Sequence, residues 1–133
     1  MITFSNIQDL IYEYGAKISA PNNLLRIFDS PQPDGAPYIK ITDDSYLYIV
    51  EERGYEFERR QTGDLDVLCY WLMKNIISNI SMRYELEHRI ESQDFRRILF
   101  SKQLQLFGSL NPKWLKVRET EINETLRNSP YVS

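Results

Sequence analysis

The residues best equipped for chemistry gather in RYELEHRIESQDFRRILFS, residues 83–101, which hold the chain's one histidine, four acids and four arginines. His88 is the obvious general base. It stands in a mixed-charge helical pattern, however, with no serine or cysteine placed by a local nucleophile motif, and so reads as a surface or capped histidine. Asp64 and Asp66 resemble a short metal-binding pair. The helix dipole favours acids in a first turn, and no histidine or further acid follows them at ligand spacing, so they read as helix-terminal residues. Glu51, Glu52, Glu56 and Glu58 lie close in sequence to Arg53, Arg59 and Arg60. Paired carboxylates could do glycosidase-type work, but opposite charges on neighbouring strands more often pair with one another. Arg96 and Arg97 point about 100° apart on a helix. At most one of them faces the core side with Phe95 and Leu99, and that one needs an acid or backbone carbonyls outside its own helix. No set of acid, base and nucleophile is complete, which argues against an enzyme; no cofactor and no metal is expected.

These residues need elements to position them. Ser5 with Gln8 forms a capping-box pattern, and Ile7, Leu10, Ile11, Tyr14 and Ile18 follow at helical spacing, predicting an amphipathic helix that ends near Ser19. Residues 20–37 carry four of the six prolines around an apolar plug of Leu24, Leu25, Ile27 and Phe28, which predicts a packed connector with one helical turn. From Tyr38 to Gln61 the apolar period changes to 2, with breaks at Asp43-Asp44 and Arg53-Gly54, predicting a three-stranded antiparallel meander. Thr62 or Asp64 caps a long helix carrying Leu65, Leu68, Leu72, Ile76 and Ile80. Ser92 or Gln93 starts another, with Phe95, Ile98, Leu99, Leu106 and Phe107, closing at Gly108. Asn111-Pro112 caps the last, which bears Leu115, Ile122 and Leu126. The fold class is therefore α+β, with three C-terminal helices packed on the sheet. Trp71 and Trp114 are expected to be buried.

Composition sets the wider limits. At 133 residues, 42% hydrophobic and 13% aromatic, the chain fits one domain, residues 1–133, with a single core. A net charge of -3 and a pI near 5.2 leave no electrostatic footprint for nucleic acid. Cys69 is alone, so no internal disulfide or paired-cysteine metal site is expected, and a reducing compartment is. MITFSNIQDL lacks the pattern of a secretory signal, and LCYWLM is far below membrane-spanning length. The expectation is a cytoplasmic protein with no membrane partner. Without a signal, the triplets at Asn79 and Asn123 are chance matches to a glycosylation acceptor.

ERGYEFERRQTGDLDVLCYWL (52–72) and YELEHRIESQDFRRILFSKQLQLFGSLNPKW (84–114) closely resemble the immunity protein 63 family of bacterial polymorphic toxin systems, and APNNLL (20–25) is similar to a stretch near that family's N-terminus. The resemblance implies a small cytoplasmic protein that binds a cognate toxin domain, usually encoded beside it, and neutralises it by stoichiometric complex formation without catalysis. It makes the mixed-charge motif a scaffold signature in which ion pairs lock two helices against the sheet, with Asp64, Asp66, His88, Arg96 and Arg97 as its polar network. A toxin-facing surface is the second reading of that motif. For toxin contacts the meander offers Tyr46, Tyr48, Arg53, Tyr55, Glu56, Glu58 and Arg59, because large aromatics and arginine make binding hot spots. The alternative function is a non-enzymatic interaction or regulatory adaptor unrelated to a toxin, and gene neighbourhood separates the two.

Overall fold

Thr3 begins the first helix, α1 (Phe4–Lys17), its Oγ1 accepting from Asn6 N at 3.1 Å. The cap is thus Thr3 and not Ser5, because Gln8 is engaged elsewhere: its Nε2 donates to Leu25 O and its Oε1 accepts from Ile27 N, each at 2.9 Å. Those two bonds fasten the connector to α1 just after one 3-10 turn, Asn22–Leu24, on either side of Arg26, where Leu25 and Ile27 are buried plugs. The structure, a computed structural model, describes residues 1–133, which divide into two units, 1–73 and 74–133, with a long helix running through the boundary.

Unit 1 holds α1, the connector and an antiparallel sheet in the order β1 (Tyr38–Ile41), β2 (Tyr46–Glu52), β3 (Tyr55–Thr62). Arg53 (φ 54°) and Gly54 (φ 78°) close the second hairpin. Two successive positive φ values in a two-residue loop are the type I′ geometry that suits the twist of paired strands. A register shift between Val50 and Glu51 sets them opposite Glu58 and Glu56, so Phe57 is the extra residue of a β-bulge. The sheet buries side chains on both faces. Tyr46 and Tyr48 lie on one, with Ile39 opposite Tyr48, while Ile49 and its partner Tyr38 lie on the other.

The long helix α2 (Leu65–Glu87) is continuous across residues 73 and 74. Asp64 Oδ1 accepts from Asp66 N at 2.8 Å at its start. Its buried stripe includes Leu68, Leu72 and Ile76, widened by Cys69, Met73 and Ile77. Burial pushes the Cys69 thiol up to about 12, and the Asp66 carboxylate adds to the shift. Trp71 is half-buried, against expectation: its ring lies 5.9 Å from the Tyr48 ring and the exposed Arg60 guanidinium stands over it at 5.6 Å. Unit 2 continues with α3 (Phe95–Leu110) and α4 (Pro112–Asn128), which pack on each other. Arg118 of α4 donates to buried Gln103 of α3 at 2.8 Å, and Lys74 of α2 pairs with Glu121 of α4 at 3.2 Å. α3 starts at Phe95, two or three residues later than the expected Ser92 or Gln93, capped by Asp94, and runs past Gly108 to Leu110. Asn111 is the next N-cap and Pro112 opens α4, as the Asn-Pro pair predicts. The predicted architecture of helix, three-stranded meander and further helices is the one observed. No helix is long and apolar enough to cross a membrane.

Candidate partner-binding site

Seven meander residues are contact candidates on the sequence, and the structure divides them. Tyr46 and Tyr48 are buried and leave the set. The Tyr46 hydroxyl accepts from Ile2 N at 3.1 Å, and the Tyr48 ring packs against Trp71. Burial holds the Tyr48 phenol well above its ordinary range, with Glu58 adding to the effect. The aromatic face of β2 is therefore core and not surface, with Trp71 of α2 against Tyr48 and the N-terminal Ile2 against Tyr46.

The other five lie on β3 and the turn before it. Arg53 and Tyr55 are exposed, and Glu56 and Arg59 form an exposed ion pair at 2.7 Å. Hydrogen bonding from Arg59 draws the Glu56 carboxyl below its ordinary value. Glu58 pairs with Arg60 at 2.9 Å. Phe57 joins the set although sequence reasoning misses it, and a signal for it exists: it stands two residues from Tyr55, the spacing that places two side chains on one side of a strand. It is 63% exposed beside the bulge, and its ring meets the 65% exposed Tyr55 edge-on at 4.7 Å. Two large rings touching each other in water, flanked by arginines, are the composition that interface hot spots favour.

The proposed polar network takes a different form. Asp64 and Asp66 stand at the start of α2 in unit 1, whereas His88, Arg96 and Arg97 belong to unit 2. His88 is exposed at the end of α2, its ring stacked on Tyr84 at 3.9 Å and its Nδ1 2.9 Å from Tyr84 O. No cluster of three or more His, Cys, Asp or Glu side chains has the arrangement of a metal site. Arg96 is the arginine with many partners. Its Nε and Nη2 grip Asp94, with Nη2 to Oδ2 at 2.8 Å, while Nη1 donates to Ser129 O at 2.8 Å and Nη2 to Pro130 O at 2.9 Å. Arg97 makes one bond, Nε to the Ser133 backbone oxygen at 2.6 Å, and stacks over Tyr131 at 4.1 Å. Arg89 pairs with Glu85 one turn earlier at 2.7 Å. The motif's ion pairs thus tie the end of α2 to itself and the start of α3 to residues 129–133. Phe95, assigned to the core side, is half-exposed because Asp94 takes the buried capping position before it.

Asp94 carries three duties. It caps Arg96 N, grips the Arg96 guanidinium and accepts from Val132 N at 3.2 Å. The Arg96 side chain first, then the Arg96 and Val132 backbone N–H groups, hold its carboxyl well below the usual carboxylate range. A folded-state value below the unfolded one contributes stability that is present above the unfolded value, about 3.9, and is lost as pH falls through the folded value. Asp94→Asn keeps a capping oxygen and removes the charge. Its melting temperature is expected to lie below the parent's at pH 7, with the gap closing as pH falls from about 4 toward 2. Thermal melts of both proteins across that range check the sign.

Neither a curated protein nor a solved structure matches the chain. The family model described as Immunity protein 63 does, over residues 43–124, from the first hairpin turn through β2, β3, α2 and α3 and into α4. That match covers more than half of the sequence, and the chain belongs to the immunity protein 63 family.

Proposed function

We propose that this protein binds a cognate toxin domain of a bacterial polymorphic toxin system in the cytoplasm and neutralises it as a stoichiometric complex, without catalysis. The family match over residues 43–124 carries this reading. Residues 1–133 act in it as one immunity-protein domain, and the toxin contacts the second hairpin at exposed Arg53, Tyr55, Glu56, Phe57 and Arg59 and at half-buried Glu58. Arg53 supports that placement. Its left-handed turn position favours Asn, Asp or Gly, and an arginine there costs backbone strain. Arg53→Asn is expected to raise the melting temperature slightly while weakening toxin binding, a divergence that thermal melts and a binding titration read separately.

A toxin must be held at cellular concentrations, so an interface of roughly 1,200–2,000 Å² and nanomolar or tighter affinity are expected. The test is co-expression of the toxin domain encoded by the neighbouring gene, with and without this chain. Survival only in its presence, with toxin activity abolished near one equivalent in vitro, supports the reading. Equal death in both cases, with both proteins soluble, rejects it.

A further inference from the structure

The two edges of the sheet are not alike. The edge of β1 is closed by the connector, where Ile39 N donates to Phe28 O at 2.9 Å, and Tyr38 and Ile39 are buried. β3 pairs with β2 alone, is the longest strand at eight residues, and has no buried residue. A long open edge presents a row of unpaired N–H and C=O groups, which proteins ordinarily guard with lysine, proline or projecting charge. β3 has no lysine and no proline. Its charges are spent on each other along the strand, Glu56 with Arg59 and Glu58 with Arg60, so they do not stand as isolated guards.

We infer that β3 is a strand-accepting edge, and that the toxin domain seats an extended segment beside residues 55–62 through main-chain hydrogen bonds. The inference rests on the toxin-binding reading and specifies its chemistry. An alternating row of backbone donors and acceptors is complemented along its length by another extended backbone. The bulge at Phe57 leaves Glu58–Thr62 as the regular run for that pairing, and the Tyr55 and Phe57 rings stand just beyond it as a side-chain anchor.

The experiment is residue-resolved amide hydrogen exchange on this chain, free and saturated with the toxin domain encoded beside it, after titration has shown whether they form a complex. Strand addition protects alternate amides of residues 58–62, those turned away from β2, and leaves the amides already bonded to β2 little changed. In the same complex, Tyr55→Ala with Phe57→Ala is expected to weaken affinity by about 30-fold or more. A complex in which β3 amides exchange as in the free chain overturns the inference and leaves the function standing. Absence of any complex between soluble partners overturns both. A free chain that sediments as a dimer with those amides already protected also overturns it, because a second copy then occupies the edge.

Discussion

Replacing Trp114 with alanine is expected to lower stability by about 3 to 5 kcal/mol, the range for removing a buried aromatic side chain. The residue is 1% exposed in the first turn of α4, and that turn is fixed. Asn111 Oδ1 accepts from Lys113 N at 3.0 Å and from Trp114 N at 3.2 Å, and Pro112 sets the backbone between them. A pinned backbone gives the surroundings little freedom to collapse into the vacated space, so most of the cavity cost remains. Small domains are stable by only about 5 to 15 kcal/mol, so the variant loses a large share of the whole. Urea unfolding followed by circular dichroism reads it as a lower midpoint with an unchanged slope. An unmoved midpoint would place the ring on the surface. Trp71→Ala, at a half-buried site beneath Arg60, is expected to move the midpoint less.

Gly15→Ala is expected to destabilise by about 1 to 3 kcal/mol, the usual cost of overpacking, even though alanine exceeds glycine in helix propensity by about 1 kcal/mol. A Cβ at this buried position would overlap both methyl carbons of Leu25. Leu25 is fully buried and has little freedom to move away, because Gln8 bonds its own carbonyl and the Ile27 N–H two residues on. Propensity and packing thus pull in opposite directions, and packing wins by its larger magnitude. A double-mutant cycle isolates the contact: Leu25→Ala should cost less in the Gly15→Ala background than in the parent. A stabilised Gly15→Ala would mean that α1 and the connector do not approach closely.

The elements were legible because each leaves a local periodic signal. The change from helical spacing to alternation at Tyr38 and back after Thr62 marks the meander, and Asn111-Pro112 marks a helix start by chemistry alone. The less legible features depend on distant partners. Ser5 and Gln8 have the right spacing for a cap, but the Gln8 amide is claimed by Leu25 and Ile27, some 17 to 19 residues away. Alternation identifies Tyr46 and Tyr48 as sharing a face without saying which element covers it. One inserted residue at Phe57 shifts the β2–β3 register between Val50 and Glu51, and a period count cannot show that insertion. That one of the paired arginines would need partners beyond its own helix was legible from their 100° separation; the one that has them is Arg96, whose side chain is 16% exposed. The partner set, the neighbouring cap Asp94 together with Ser129 and Pro130, depends on residues 129–133 folding back on the start of α3.

The buried thiol of Cys69 turns this chain into its own clock. Alkylating reagents consume thiolate, and a cysteine that is both covered and pushed up to about 12 offers almost none at neutral pH. Modification then proceeds through molecules in which that turn of α2 has opened, so its rate reports the free energy of opening without denaturant. Trp114 lies in the other unit, which makes the pair informative. In one cooperative domain, Trp114→Ala accelerates modification at Cys69 by the factor that corresponds to its stability loss, whereas units that open separately leave the Cys69 rate where it was.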